Sequence, residues 1–288
     1  MQPHQGLNVW CVHSILEFSA TGRPSADGLD AAHARSILLD HGEAKVSLSS
    51  NRPGLAVPPE YVGREQSFLK HRVLGDYLTA WGHKLGSTGR AQGRTKLWYV
   101  DTFAGPWDER HPALADTSIA IGIDALETAA ATWKARGHVV EISALFVEKK
   151  AEAFAKLQKY LATRQGSVST HALRGDFGDH ADGIRRRLGN DAAFIFVDPL
   201  GWKGAAMKYI APLVGGNAPR DVLINVMFDH MNRQKDRLIE HIRQQMRDFF
   251  GLDAGELPAD LDEEGLFDLY RTDRGPGSSG SAGGGSSA

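Results

Sequence analysis

The chain has 288 residues, a formal net charge of −2 at pH 7 and a single cysteine, Cys11. The lone cysteine excludes an internal disulfide framework and any metal or iron–sulfur site built from several cysteines of this chain. The small net charge gives no overall basic field that would favour nucleic acid. No apolar stretch reaches the roughly 20 residues needed to cross a bilayer. Because no signal peptide is recognisable either, we expect a cytoplasmic protein without a membrane segment.

Apolar runs that end on a carboxylate recur along the chain. Each run predicts a buried parallel strand, and helix-like stretches separate one run from the next. This alternation predicts an α/β fold with a doubly wound, mostly parallel sheet of the Rossmann-like type. In such a sheet, ligands bind outside the carboxyl ends of the strands. The four runs cover 97–101, 144–148, 173–176 and 194–198, and they end on Asp101, Glu148, Asp176 and Asp198.

Apolar periodicity and turn residues divide the chain into four regions. Residues 1–60 are interrupted by Gly, Pro, Ser and Asp, and we interpret them as an irregular extension. The α/β domain covers 61–250, and a short helical segment covers 251–274. Residues 275–288 are a Gly/Ser tail, either flexible or left over from cloning. The predicted helices are 64–85, 119–136, 151–163, 180–188, 205–213, 232–250 and 263–270, and a fifth strand is predicted at 221–228.

The strand ends suggest a nucleoside-type ligand. A tight turn after Asp101 would let the backbone approach a ligand closely, and Glu148 could accept hydrogen bonds from a ribose diol. Asp176 either faces a base or caps the following helix. Asp198 faces the place where a substrate would lie, and Pro199 stiffens the turn behind it.

The missing motifs narrow the class of cofactor. A Gly-x-Gly-x-x-Gly turn and a Walker Gly-x-x-x-x-Gly-Lys-Ser/Thr motif are both absent, which favours a ligand without phosphates. S-adenosylmethionine is such a ligand, since it carries a ribose, an adenine and a charged amino-acid tail. The twelve histidines are scattered without a His-Glu-x-x-His pattern, so we expect no zinc site.

The helix predicted at 64–85 carries basic and polar residues near its start. Arg64, Gln66, Lys70 and His71 either line the mouth of the site or form a solvated face of a helix that packs on the sheet.

Seven short motifs occur in order between residues 61 and 233: Gly63-Arg64-Glu65-Gln66, Lys70-His71, Tyr99 to Trp107, Asp116-Thr117-Ser118, Phe146-Val147-Glu148, Gly175-Asp176-Phe177 and Phe196 to Gly201. Together they resemble the three-Cys-motif partner protein family. That family is similar to class I S-adenosylmethionine-dependent methyltransferases. It is named for a neighbouring protein whose three-cysteine motif resembles radical S-adenosylmethionine enzymes. The resemblance implies a methyltransferase-type domain, S-adenosylmethionine as cofactor, a three-cysteine-motif protein as partner and a further segment beyond Tyr270.

The resemblance also implies a role for each strand end, with two departures. Trp107 stands where a methyltransferase usually has a second glycine, and Leu200-Gly201 replaces a proline and an aromatic residue. Both departures weigh against transfer to a nucleobase amine. The implied roles are the methyltransferase first motif for Asp101, Phe103 and Gly105, the ribose contact for Glu148, the adenine contacts for Asp176 and Phe177, and the catalytic Asp-Pro-Pro-Tyr-type motif of amine methyltransferases for Asp198 and Pro199.

Three functions stay open at this point. The first is a methyltransferase that acts with the three-cysteine-motif protein, its substrate unknown. Nucleic acid is one candidate substrate, although the basic runs 185–187 and 233–235 read more simply as solvated helix faces. The second is a non-catalytic nucleoside-binding subunit, which the altered turn at Trp107 suggests. The third is a nuclease in which Asp101, Asp176 and Asp198 would hold Mg²⁺.

Overall fold

The structure, a computed structural model, describes residues 7–14, 46–48, 57–88, 94–105, 114–199, 202–214, 218–226 and 240–251. Among these residues, seven strands form one sheet. The strands are β1 (Leu7–Ser14), β2 (Val46–Leu48), β3 (Arg94–Asp101), β4 (Val139–Glu148), β5 (Ser169–Arg174), β6 (Ala192–Val197) and β7 (Arg220–Val226). The helices are α1 (Glu65–Gly86), α2 (Ser118–Ala135), α3 (Ala151–Thr163), α4 (Phe177–Leu188), α5 (Met207–Val214) and α6 (Glu240–Phe250), and a 3-10 turn covers Pro59–Tyr61.

The sheet has the strand order β2-β1-β7-β6-β3-β4-β5. Its five strands from β7 to β5 are all parallel, and helices connect them. Read in chain order, these five strands follow the 3-2-1-4-5 pattern of the Rossmann fold. This confirms the predicted doubly wound, mostly parallel sheet. The strand order reverses between β3 and β6, and such a reversal is where doubly wound folds bind their ligands.

Two apolar layers cover the two faces of the sheet. Alternate residues of β3 enter opposite layers: Tyr99 lies in one layer, while Trp98 and Val100 lie in the other. The first layer is built with α1 and α2, and the second with α4, α5 and α6. Because both faces are buried, the strands need continuous apolar runs, and those runs are what made them visible in the sequence.

Helix α1 lies along the sheet, with its amino end at the carboxyl edge. Near its start, Lys70 contacts Asp198 just beyond β6, whereas Tyr77, two turns later, donates to Asp221 at the beginning of β7. Close packing on α2 holds this orientation. A Cβ at Gly86 would lie 2.4 Å from the Trp133 ring, so only glycine allows this approach. The basic start of α1 is thereby brought to the ligand-binding edge.

The structure differs from the sequence interpretation at the amino-terminal part of the chain. Residues 1–60 were interpreted as an irregular extension, but β1 pairs antiparallel with β7 from Asn8↔Val226 to Ser14↔Arg220, and β2 pairs with β1. Local patterning missed β1 because its main partner lies near the other end of the described chain.

Elsewhere the predicted helices agree with the observed ones to within a few residues, and Thr117 caps α2 by accepting from the Ala120 N–H. None of the described helices is long and apolar enough to cross a membrane. Several sequence predictions concern residues outside the described ranges. They are the first part of the helix at 232–250, the helix at 263–270 and the tail at 275–288.

Candidate functional site

The turn after β3 occupies the carboxyl edge at the switch point of the sheet. Its residues 102–105, which we call the β3 turn, are tied to both neighbouring strands. The Thr102 N–H donates to the Phe196 carbonyl of β6 at 3.0 Å, and the Ala104 N–H donates to the Val147 carbonyl of β4 at 2.9 Å. The β3 turn is thus a rigid part of this edge.

All four backbone N–H groups of the β3 turn are engaged inside the protein. Besides the two bonds to the neighbouring strands, Phe103 N–H donates to the Asp101 carboxylate at 3.1 Å and Gly105 N–H donates to the Phe103 carbonyl at 2.9 Å. In dinucleotide-binding folds, this turn and the following helix provide the N–H groups that hold a pyrophosphate. These four N–H groups of the β3 turn are therefore not left for that purpose.

Asp101 is fully buried at the end of β3. Its Oδ2 accepts a hydrogen bond from the Ser118 hydroxyl at 2.7 Å, and Ser118 lies in the first turn of α2. Burial, which disfavours the charged form, raises the pKa of Asp101 to about 6. The bonds from Ser118 and Phe103 oppose this rise, and the charge of Asp198 adds to it. Keeping Asp101 ionised at neutral pH therefore costs free energy.

Asp198 lies just beyond β6, next to Asp101 across the switch point. Its Oδ2 accepts from Lys70 Nζ at 2.5 Å, and its Oδ1 accepts from Asn225 Nδ2 at 2.7 Å. Asn225 is buried in β7. Asn225 was not among the predicted site residues, although its amide inside the apolar strand at 221–228 was an available signal. Pro199, which follows Asp198, is buried.

A second polar cluster extends this site along the start of α1. Arg64 Nη2 lies 2.5 Å from the Asp116 carboxylate, which is buried, and the Tyr61 hydroxyl lies 3.0 Å from His71 Nδ1. Burial and the nearby Lys70 charge lower the pKa of His71 to about 3, so its imidazole is neutral at pH 7.

Three of the four predicted mouth residues thus meet at this end of the sheet: Arg64, Lys70 and His71. The fourth, Gln66, has an exposed side chain on the first turn of α1. Tyr61 and Asp116 were not among the predicted site residues. Asp116 belongs to the Asp116-Thr117-Ser118 motif, but nothing in the local sequence indicated its contact with Arg64.

Glu148 and Asp176 end the two strands on the other side of β3. Glu148 is buried, and its Oε1 accepts from the Lys150 N–H at 2.5 Å. Asp176 occupies the N-cap position of α4, but its side chain makes no capping hydrogen bond. Instead, this half-exposed carboxylate pairs with Lys149 at 2.9 Å.

The two phenylalanines of the predicted cofactor site lie close to each other. The Phe177 ring is buried and meets the partly buried Phe103 ring with a centroid distance of 6.0 Å. Phe177 therefore belongs to the buried core next to the carboxyl edge of the sheet. Four of the predicted residues lie outside the described ranges, namely Pro106, Trp107, Leu200 and Gly201.

The four carboxylates follow one another along the carboxyl edge, because β5, β4, β3 and β6 are neighbours in the sheet. Neighbouring strands are about 4.8 Å apart, so the row from Asp176 to Asp198 spans roughly 14 Å. That separation is far too large for one Mg²⁺, whose ligands lie at about 2.1 Å. The described residues contain no group of three His, Cys, Asp or Glu that could hold a metal ion. The arrangement thus does not favour the nuclease hypothesis.

A scan against protein-family models and a search of curated proteins gave no significant match to this chain.

Proposed function

We propose that this protein binds S-adenosylmethionine at the carboxyl edge of its sheet and acts as a methyltransferase-like protein together with a three-cysteine-motif protein. The supporting observation is the combination of a β3 turn whose N–H groups are all engaged and a row of four carboxylates beside it. Among the described residues, this edge offers hydrogen-bond acceptors and no phosphate cradle. It suits a ligand that donates hydrogen bonds and carries no phosphate.

The donors of S-adenosylmethionine fit this set of acceptors. Its ribose diol and its ammonium group both donate hydrogen bonds, and a carboxylate provides about four lone-pair sites. Glu148 uses one of these sites on the Lys150 N–H and could accept the diol with others. Asp101 would serve the amino-acid tail through the β3 turn, and Asp176 would accept from the adenine amino group.

When bound, the cofactor supplies a methyl group on a positively charged sulfur. The residues of this chain would supply position rather than strong base chemistry. Asp198 already accepts from Lys70 and Asn225, and these two bonds fix the plane of its carboxylate. Its remaining lone pairs would accept an N–H from an amine substrate and so aim the nitrogen at the methyl group.

The same contacts support a second candidate, a nucleoside-binding subunit that does not catalyse transfer. Lys70 and Asn225 together occupy one lone pair on each oxygen of Asp198, which leaves fewer lone pairs for a substrate. In that case the three-cysteine-motif protein would carry the chemistry, and this chain would hold the nucleoside.

Calorimetric titration of the full chain tests the binding step. We expect S-adenosylmethionine to bind with a micromolar Kd, and a nicotinamide dinucleotide and Mg²⁺ to give no binding heat. Glu148→Gln should weaken S-adenosylmethionine binding about tenfold or more, since it loses charge-assisted hydrogen bonds. Glu141→Gln, on the same strand but nearer its other end, is the matched control. Dinucleotide binding, or equal affinity in Glu148→Gln and wild type, would contradict the proposal.

Transfer of a radiolabelled methyl group to total cell extract, with and without the three-cysteine-motif protein, separates the two candidates. The methyltransferase predicts labelled product that Asp198→Asn abolishes and that the exposed α4 variant Asp182→Asn leaves unchanged. Cofactor binding without transfer under either condition would instead support the non-catalytic subunit.

A further inference from the structure

A cavity of about 300 Å³ opens at the opposite edge of the sheet, where β6 and β7 begin. We call it the arginine cavity. Its volume lies at the lower end of the range for small-molecule sites. It is lined by Arg185, Arg186, Leu188, Gly189, Asn190, Pro212, Leu213 and Arg220.

Three arginine residues from two elements line the arginine cavity. Arg185 and Arg186 lie in the last turn of α4, and Arg220 begins β7. No carboxylate lines the arginine cavity among the described residues. Two acidic groups lie nearby: Asp182 pairs with Arg185 at 3.7 Å on the exposed side of α4, and Asp191 accepts from the Trp98 ring N–H at 3.3 Å.

Arg220 is held in place rather than extended into solvent. It is 3% exposed, and its Nη2 donates to the Gly189 carbonyl at 2.7 Å. Burial lowers the pKa of the Arg220 guanidinium, and the negative charge of Asp191 offsets part of this decrease.

A structural reading explains part of this arrangement. Basic residues in the last turn of a helix complement its dipole, and Arg220 caps the carbonyl end of α4 through Gly189. However, helix capping and favourable dipole interactions do not require these arginines to line a cavity. Leu188, Pro212 and Leu213 supply an apolar side to the cavity, so a ligand with both an anionic group and an apolar body would fit there.

We propose that the arginine cavity binds the phosphate group of a small phosphorylated molecule whose body packs on the apolar wall. Guanidinium groups match phosphate oxygens in a two-pronged geometry, and the three arginines carry more positive charge than a doubly charged phosphate monoester needs. A small ligand is favoured over a nucleic-acid backbone because the arginines surround a cavity, whereas the protein as a whole carries a net charge of −2. This proposal does not depend on the function proposed for the carboxyl edge.

Calorimetry on the full chain tests it with phenyl phosphate, inorganic phosphate, phenol and a single-stranded oligonucleotide without terminal phosphates. We expect phenyl phosphate to bind more tightly than inorganic phosphate, and phenol to give no heat. Added salt should weaken the binding of both phosphate ligands. The absence of binding by phenyl phosphate would overturn the proposal. Tighter binding of the oligonucleotide than of phenyl phosphate would also overturn it, in favour of a nucleic-acid surface.

The chain provides a matched control for the charge. Arg187 follows Arg186 but does not line the cavity, and it faces His171, whose pKa is lowered by burial and by the Arg187 charge. Arg186→Gln should weaken phenyl phosphate binding about tenfold, while Arg187→Gln should change it less than about threefold. Equal losses in the two variants would mean a diffuse field and no site.

Arg220→Lys tests the buried group while keeping its charge. The loss of the planar fork should weaken phenyl phosphate binding about tenfold, with far-UV circular dichroism confirming the fold. Unchanged affinity in a folded Arg220→Lys protein would contradict the role given to Arg220. If this variant does not fold, the comparison of Arg186→Gln with Arg187→Gln decides the question.

Discussion

The two edges of the parallel sheet carry opposite chemistries. At the carboxyl edge the polar groups are mainly carboxylates, each held by a neighbouring donor, as Asp198 is held by Lys70 and Asn225. At the amino edge three arginine residues line the arginine cavity. The helix dipole explains this division, because helix amino ends follow the strands' carboxyl ends and helix carboxyl ends precede their beginnings. Acids at the first edge and bases at the second are therefore partly expected from the fold alone.

The helix dipole does not explain why an acidic side chain is buried where burial disfavours its charged form. Asp101 is fully buried and its pKa is raised even though two groups donate to it. Glu148, by contrast, sits beside the start of a helix and is bonded to the Lys150 N–H, which is ordinary for an acid there. The comparison of the edges thus picks out Asp101 as the group whose position demands a functional reason. The predictions below test each edge, from the largest expected effect to the smallest.

Lowering the pH should destabilise the folded protein through His71, which lies at the carboxyl edge. The pKa of His71 is lowered to about 3 in the folded protein, so below pH 6.5 the unfolded chain binds a proton that the folded protein does not. Stability falls as the pH drops through this window, by about 3 kcal/mol between pH 6.5 and 4. Urea unfolding at pH 6.5 and pH 4 measures this loss of stability. The His71→Gln protein should lack the part of the loss that His71 causes. The exposed α6 variant His241→Gln should behave as wild type, and a matching effect in both variants would contradict the assignment.

Asp101→Asn should stabilise the protein at alkaline pH. Because the folded pKa of Asp101 is raised to about 6, its stabilising contribution is present below pH 3.8 and is lost as the pH rises through about 6. Removing the charge should gain about 2–3 kcal/mol at pH 8 and nothing near pH 3.5. Under the proposed function the same variant should lose S-adenosylmethionine binding. If Asp101→Asn is less stable than wild type at pH 8, the hydrogen bonds of Asp101 contribute more than its burial costs. The exposed α4 variant Asp182→Asn is the control.

The ion pair between Lys70 and Asp198 should matter more than an ordinary surface pair on the same helix. Its two side chains are only 16% and 17% exposed, compared with 54% and 48% for Arg72 and Asp76. Lys70→Met should therefore cost about 1–2 kcal/mol of unfolding free energy, since it leaves a half-buried carboxylate with one donor fewer. Arg72→Met should cost less than about 0.5 kcal/mol. Chemical denaturation measures both, and equal costs would indicate that Asp198 rehydrates freely.

The smallest effect is expected at the amino edge. Arg186 and Arg187 are exposed, so Arg186→Gln and Arg187→Gln should each change the unfolding free energy by no more than about 0.5 kcal/mol. Their difference should emerge only in phenyl phosphate binding. A marked loss of stability in Arg186→Gln alone would mean that the arginine cavity serves the fold rather than a ligand.

Much of the fold was predictable because both faces of the sheet are buried. Strands such as β3 and β6 then appear as apolar runs closed by an acid, and the order of strands and helices indicates a doubly wound sheet. Strand β1 was missed, since its main partner β7 lies far away in the sequence. Local patterns carry no information about such a pairing.

The strand-end acids of the site were also predictable, but their partners were not. Position at a strand end is a local property, whereas the contact of Asp198 with Lys70 depends on how α1 lies over the sheet. The same limit applies to Asn225, which is visible only as an amide inside an apolar strand. From the sequence, Lys70 and His71 could either line the mouth of the site or lie on a solvated helix face. It could not be foreseen that Lys70 would pair with Asp198 and that His71 would be buried and neutral.

The pairing of β1 with β7 has a consequence for synthesis of the protein. As the chain leaves the ribosome, β1 is made first, but its register partners from Arg220 to Val226 are among the last described residues to appear. Until then, the backbone N–H and C=O groups along that side of β1 have no strand to pair with, and unpaired strand edges invite association between chains. Such a long-range pairing also slows folding, because a large loop must close before the contact forms. We therefore expect the incomplete chain to associate with other chains more readily than the finished fold.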